Sequence, residues 1–154
     1  MKSYNLEEIR SKMEYYCSYQ DRCYKEVEVK LKSFHLIPEA KEQIMIFLIE
    51  NNYINEERFA KSFVRGKHNY KKWGKKRINI ELKVREISRK NIDLALQEIP
   101  EELYIQNFNE LAEKQWNSIA EKNSAKKNKK WVDFLLRKGY ESHLIYDKLT
   151  ELTK

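Results

Sequence analysis

Apolar positions recur every three or four residues along the whole chain, the spacing of one helix face, and hardly anywhere alternate as they would along a strand. Leu6, Ile9, Met13 and Tyr16 define a first amphipathic segment, and Cys23, Val27, Leu31 and Phe34 a second. Pro38 suits a first helical turn, where its missing N–H costs nothing, and opens a third segment that runs to about Asn52 with Ile44, Phe47 and Leu48. A fourth spans Asn55 to Lys72, with Asn55 as N-cap and Glu56 and Glu57 at the positive end of the helix dipole. Trp73 and Gly74 break the pattern before a short fifth helix with Ile78 and Leu82. Ser88 caps a sixth, carrying Ile92, Leu96 and Ile99, which Pro100 stops. A long seventh holds Ile105, Phe108, Leu111, Ala112 and Ile119. The eighth holds Trp131, Phe134 and Leu135 and ends at Gly139, a residue free to adopt the left-handed conformation of a C′ position. Ile145, Leu149 and Leu152 mark the ninth.

Nine helices fall into three groups of three, because the pattern repeats. Leu82, Ile87, Ile92, Leu96 and Ile99 superpose at a shift of 53 on Leu135, Tyr140, Ile145, Leu149 and Leu152. At a shift of 51, Ile87, Ala95, Leu96 and Ile99 fall on Leu36, Ile44, Met45 and Leu48, although Ile92 meets Lys41. The predicted units are residues 1–54, 55–100 and 101–154, each a three-helix motif whose last two helices meet at a tight turn, as in helix-turn-helix proteins. The expected fold is all-α, an elongated stack of about nine helices in tandem three-helix repeats, each unit with a modest core of its own.

Composition narrows the function. Only three glycines and two prolines occur in 154 residues, too few turn formers for a β-rich fold. The two cysteines, Cys17 and Cys23, form no disulfide framework and have no partner at metal-ligand spacing, so a reduced, cytoplasmic protein without metal or cofactor is expected. The longest apolar run, Ile44 to Ile49, is far too short to span a membrane. Glu56, Glu57, Glu81 and Asp93 scatter over different helical faces, which gives no paired-carboxylate site and no support for an enzyme.

Charge is placed rather than spread. Residues 61–90 hold twelve Lys or Arg and two acids, more positive charge than the net +7 of the chain. Such a field attracts polyanions, and a phosphate backbone is the first to test. On the fourth helix Phe59, Ala60, Phe63, Val64, Lys67 and Tyr70 gather on a core face, and Arg58, Lys61, Arg65, His68 and Lys72 form a cationic stripe opposite. Lys71, Lys75, Lys76 and Arg77 continue the charge around Trp73, which either stacks on a base or protein partner or plugs the helix junction. Lys126, Lys127, Lys129 and Lys130 open the eighth helix, either as a second phosphate contact or as a solvated linker. The ten tyrosines read mostly as core residues with a polar handle.

The segment Tyr53-Ile54-Asn55-Glu56-Glu57-Arg58-Phe59-Ala60, then Phe63-Val64-Arg65-Gly66-Lys67, with Ile78, Glu81-Leu82 and Ile92-Asp93-Leu94-Ala95-Leu96 downstream, resembles the bacterial RecX family of regulatory proteins. The likeness extends through Glu26-Val27 and Lys30-Leu31 and through Phe134-Leu135 and Arg137-Lys138-Gly139-Tyr140, over roughly residues 18 to 152. The chain departs from the family pattern at Asn55-Glu56, at Glu86 where glycine is usual, and at Trp73-Gly74. The resemblance implies tandem three-helix repeats that bind the RecA recombinase filament on DNA and restrain its recombination, ATPase and coprotease activities. The expected partners are RecA filaments and the phosphates of single- and double-stranded DNA, met by a monomer. The alternative is a sequence-specific helix-turn-helix regulator whose sixth helix, Arg89 to Ile99, reads the major groove, although that helix presents Asp93 and Glu98 beside Asn91 and Gln97.

Overall fold

The computed structural model describes residues 4–154, so residues 1–3 of the first predicted unit lie outside it. Nine helices and no strand occur among the described residues: α1 (Leu6–Tyr19), α2 (Tyr24–Lys32), α3 (Pro38–Glu50), α4 (Glu56–Asn69), α5 (Lys75–Val84), α6 (Arg89–Leu96), α7 (Glu101–Ser118), α8 (Ser124–Lys138) and α9 (Ser142–Leu152). Short polar side chains start several of them. Asn5 accepts from the Glu8 amide at 2.8 Å, Asn55 from Arg58 at 2.9 Å and Asn123 from Lys126 at 3.0 Å. Each such cap contributes about 1 kcal/mol by satisfying an amide the helix cannot pair. Two boundaries differ from the sequence reading. Cys23 is the N-cap of α2 rather than part of it, and α4 stops at Asn69, three residues before Lys72.

The threefold repeat is written in the backbone. Positive φ angles occur at His35, Glu86 and Gly139, in each unit at the turn between the second and third helices, and these positions are 51 and 53 residues apart. The first unit therefore shares the turn geometry of the others despite its weaker side-chain match. Only Gly139 takes this conformation without a Cβ penalty. Glu86 holds it at φ +61° with its Cβ in place.

The core divides in two, not three. Ile9, Met13, Val27, Leu31, Ile44, Met45 and Leu48 close the first unit on itself. The second and third units share one continuous cluster that runs from Phe59 and Val64 through Ile78 and Leu82 to Tyr104, Trp131, Tyr140 and Ile145. α4 packs most extensively on α6, and the first helix of the third unit closes over the flank of α4. The three separate cores expected from periodicity are thus a correction: helix spacing shows that a face is apolar, not which neighbour covers it. The tyrosines follow suit, since Tyr104 and Tyr140 are buried while Tyr15, Tyr19, Tyr24, Tyr70 and Tyr146 are exposed.

Different chemistry holds the two junctions. Between the first and second units, Arg58 Nε donates to Asp21 Oδ1 at 2.8 Å and its Nη2 to the carbonyls of Asn52 and Tyr53, while Lys25 donates to the Val84 carbonyl. Between the second and third, backbone meets backbone: Gly74 N–H donates to the Lys138 carbonyl at 2.7 Å and Lys76 N–H to that of Gly139 at 3.0 Å. The Tyr140 hydroxyl adds a bond to the Lys72 carbonyl, and the Lys75 amide donates to the Tyr104 hydroxyl, which in turn donates to Glu141.

Candidate nucleic-acid interface

The predicted stripe on α4 does not survive folding as a stripe. Arg58 is spent on Asp21 and two carbonyls at the first junction. Lys61 pairs with Glu57 at 2.9 Å and Glu98 at 3.8 Å. His68, only 1% exposed, lies under α7, with Nδ1 3.0 Å from the Trp73 carbonyl and Nε2 2.9 Å from Asn107 Nδ2. Lys72 sits beyond the helix in a left-handed turn. Tyr70, placed on the core face by its spacing, is 85% exposed because α4 ends at Asn69 and leaves it as the C-cap residue, off the helix face that the spacing assumed. Of the five predicted stripe residues, Arg65 alone stays both helical and exposed without an ion pair among the described residues.

The cations converge elsewhere, at the seam between the second and third units. The Trp73 indole lies 4.0 Å from the Arg77 guanidinium and 4.9 Å from the Lys67 ammonium, with its edge on Phe63. Trp73 therefore both plugs the helix junction and stays partly open to solvent between two cations. Arg77 also donates to the Arg137 carbonyl at 3.2 Å, and Lys138 donates to the Lys71 carbonyl at 3.0 Å. These bonds bring Arg77, Lys138 and Lys71 together, with Lys72, Lys76 and Arg137 exposed at neighbouring positions of the chain. Partial burial and then the charges of Arg77 and Lys71 push the Lys138 pKa down. An ammonium held against two neighbouring cations is a place where a phosphate lowers the energy. Lys75 stands apart from this face, turned onto Tyr104 and Glu101.

Arg137 and Lys138 were missing from the predicted site. In sequence they look like ordinary cations of a helix's last turn, suited to its dipole, and only the docking of the α8 terminus on α5 brings them to Lys71. The Lys126–Lys130 run is largely engaged: Lys127 lies 4.1 Å over the Trp116 ring, Lys129 pairs with Asp133 and Lys130 with Glu121. Lys126 remains exposed. On α6, Arg89 is paired with Asp93, an acid facing outward where a groove-reading helix needs donors. Among the described residues no cluster of His, Cys, Asp or Glu could hold a metal ion, and no helix is long and apolar enough to cross a membrane.

His68 gives the seam a pH dependence. A carbonyl can only accept, so Nδ1 carries the proton toward Trp73, and Nε2 accepts from the Asn107 amide. Burial, followed by the charges of Lys72 and Lys75, lowers its pKa against the opposing bond to Trp73. With the folded pKa below the unfolded value, its contribution is complete above about pH 6.5 and is lost as pH falls from there through the folded pKa. The stability gap between the native chain and His68→Gln, measured by urea unfolding, is therefore expected to shrink between about pH 7.5 and pH 5.5. A gap independent of pH would show that His68 does not titrate on unfolding.

Residues 55–96 match the family model of the second three-helix domain of RecX, and residues 101–149 that of the third. The regulatory protein RecX of Bacillus cytotoxicus is 31% identical over 137 residues, which cover 89% of this chain and 51% of that protein. The one of Vibrio campbellii is 37% identical over 94 residues, or 61% of this chain and 59% of that protein. The chain thus spans between half and three fifths of these relatives. The crystal structure of RecX from Lactobacillus salivarius superposes with a TM-score of 0.80 at 30% identity and covers 96% of both chains. A second crystal structure, of a regulatory protein RecX, gives 0.83 at 26% identity over 95% of this chain and 73% of that one.

Proposed function

The chain belongs to the RecX family, and on that premise we propose that it is a non-enzymatic, monomeric cytoplasmic regulator that binds the RecA filament and its DNA and restrains RecA activity. The seam carries the reading: Lys71, Arg77 and Lys138, contributed by two successive units, cluster beside a Trp73 indole clasped by cations, with Lys72 and Arg137 exposed next to them in the chain. Phosphate contacts of this kind are sequence-indifferent and salt-dependent, which suits a protein that meets a filament wherever it forms. The units 1–54, 55–100 and 101–154 then work as successive contacts along the partner, with Arg65 and Lys126 as flanking cations. Added in substoichiometric amounts to the cognate recombinase on single-stranded DNA, the chain is expected to lower ATP hydrolysis and strand exchange. It should also be retained more tightly on RecA-coated strands than on a duplex of any sequence. Undiminished ATPase at equimolar chain, or a defined duplex site bound in preference, would refute this reading.

A further inference from the structure

A groove of about 1100 Å³ opens along α1 and α2 of the first unit, remote in sequence from the seam. Its lining includes three cations, Lys12, Arg22 and Lys30, and no carboxylate among the described residues. Arg22 lies 3.8 Å over the Tyr16 ring and is fixed there by a 3.1 Å bond from Nε to the Tyr16 carbonyl, with Lys30 5.7 Å from the same ring. Tyr15 and Tyr19, one helical turn apart, both line the groove and are each 70% exposed. Their ring centroids stand 6.2 Å apart at a tilt of 36°. Neither hydroxyl has a hydrogen-bond partner among the described residues. Two bare aromatic faces beside fixed cations, with no acid in the wall, form a surface complementary to a planar, anionic ligand.

The occupant follows from the geometry. Both rings are exposed, so each can stack only on a base that its own strand leaves free. A duplex keeps its bases inside the stack. An acidic peptide would find the cations, but the exposed ring faces give it little. Base stacking on aromatic faces beside a positively charged wall is how single strands are held without sequence readout. We propose that the groove binds single-stranded DNA, with Tyr15 and Tyr19 each stacking a base and Lys12, Arg22 and Lys30 facing the phosphates. This rests on the nucleic-acid reading of the family function and adds to it a site the seam does not supply.

The test is the affinity of the full chain for a fluorescent oligothymidylate, a matched abasic oligonucleotide, a duplex and a Glu-rich peptide. Tyr15→Ala with Tyr19→Ala is expected to weaken oligothymidylate binding by about 10- to 100-fold, since stacking on each ring is energetically substantial. The slope of log affinity against log salt should hold, because neither ring is charged. The abasic strand and the duplex should show no such loss. Tyr15→Phe with Tyr19→Phe, which keeps the rings, should bind like the native chain. Unchanged oligothymidylate affinity in the alanine variant, or an equal loss on the abasic strand, overturns the proposal. So does a groove-dependent affinity for the peptide alone. If seam variants lose DNA while the tyrosine variants do not, only the groove is wrong. A native chain that binds no nucleic acid at all ends both readings.

Discussion

On the proposed function, replacing Lys71, Lys72 and Arg137 together with Glu is expected to weaken binding to DNA strongly at physiological salt, with restraint of RecA lost in parallel. All three side chains are exposed, and the bonds at these positions run through backbone carbonyls that the substitution leaves in place. Folding should therefore change by no more than about 0.5 kcal/mol per site, as for surface positions generally. Binding loses three cations and gains three anions beside Arg77 and Lys138, which the new carboxylates neutralise. If each cation meets one phosphate, the salt slope falls by about 2 to 3 on duplex and by about 2 on single strands. The control places the same six-unit charge change at Lys114, Lys122 and Lys154, all exposed and away from the seam. Equal losses in both triple variants would assign the effect to net charge. DNA binding retained without RecA restraint would assign the face to protein contact.

The local levels of this fold were legible in the chain. Pro38 opens α3, Asn55 and Ser88 cap α4 and α6, and Gly139 ends α8 in the left-handed conformation, because each signal acts within one helical turn. The repeat was legible too, down to the 51- and 53-residue offsets that the positive-φ turns share. The surface of α4 was not. His68 continues the buried line of Ala60 and Val64 at steps of four, but α7 has to arrive from 39 residues away to bury it through Asn107. Arg58 was read as a free cation because its partner, Asp21, is 37 residues distant. Unit-to-unit docking decides which cations are consumed and which are gathered. It removed two residues from the stripe and brought Arg137 and Lys138, which no local pattern marks, to the seam.

Gly74→Ala tests whether that docking holds the site together, and a large effect is expected from one methyl group. A Cβ on Gly74 would lie 2.6 Å from the Tyr140 amide nitrogen and closer still to the Gly139 carbonyl. These are backbone atoms that cannot rotate aside, so the α8 terminus must withdraw from the start of α5. Withdrawal breaks the Gly74 to Lys138 and Lys76 to Gly139 bonds, leaving buried groups unpaired at about 1 to 3 kcal/mol each. A total loss of about 3 to 5 kcal/mol is expected in urea unfolding, with DNA affinity falling although no charge has changed. Gly66→Ala provides the opposite sign in the same three-helix unit: its Cβ meets nothing within 4 Å, and alanine in mid-helix should stabilise by up to about 1 kcal/mol without altering binding. Because Gly74 carries no side chain to touch a ligand, weakened DNA binding in a Gly74→Ala chain that remains folded can come only from displacing Arg137 and Lys138 relative to Lys71. Native stability and affinity in that variant would mean that the two units move apart freely, and that the cations of the seam act singly rather than as one surface.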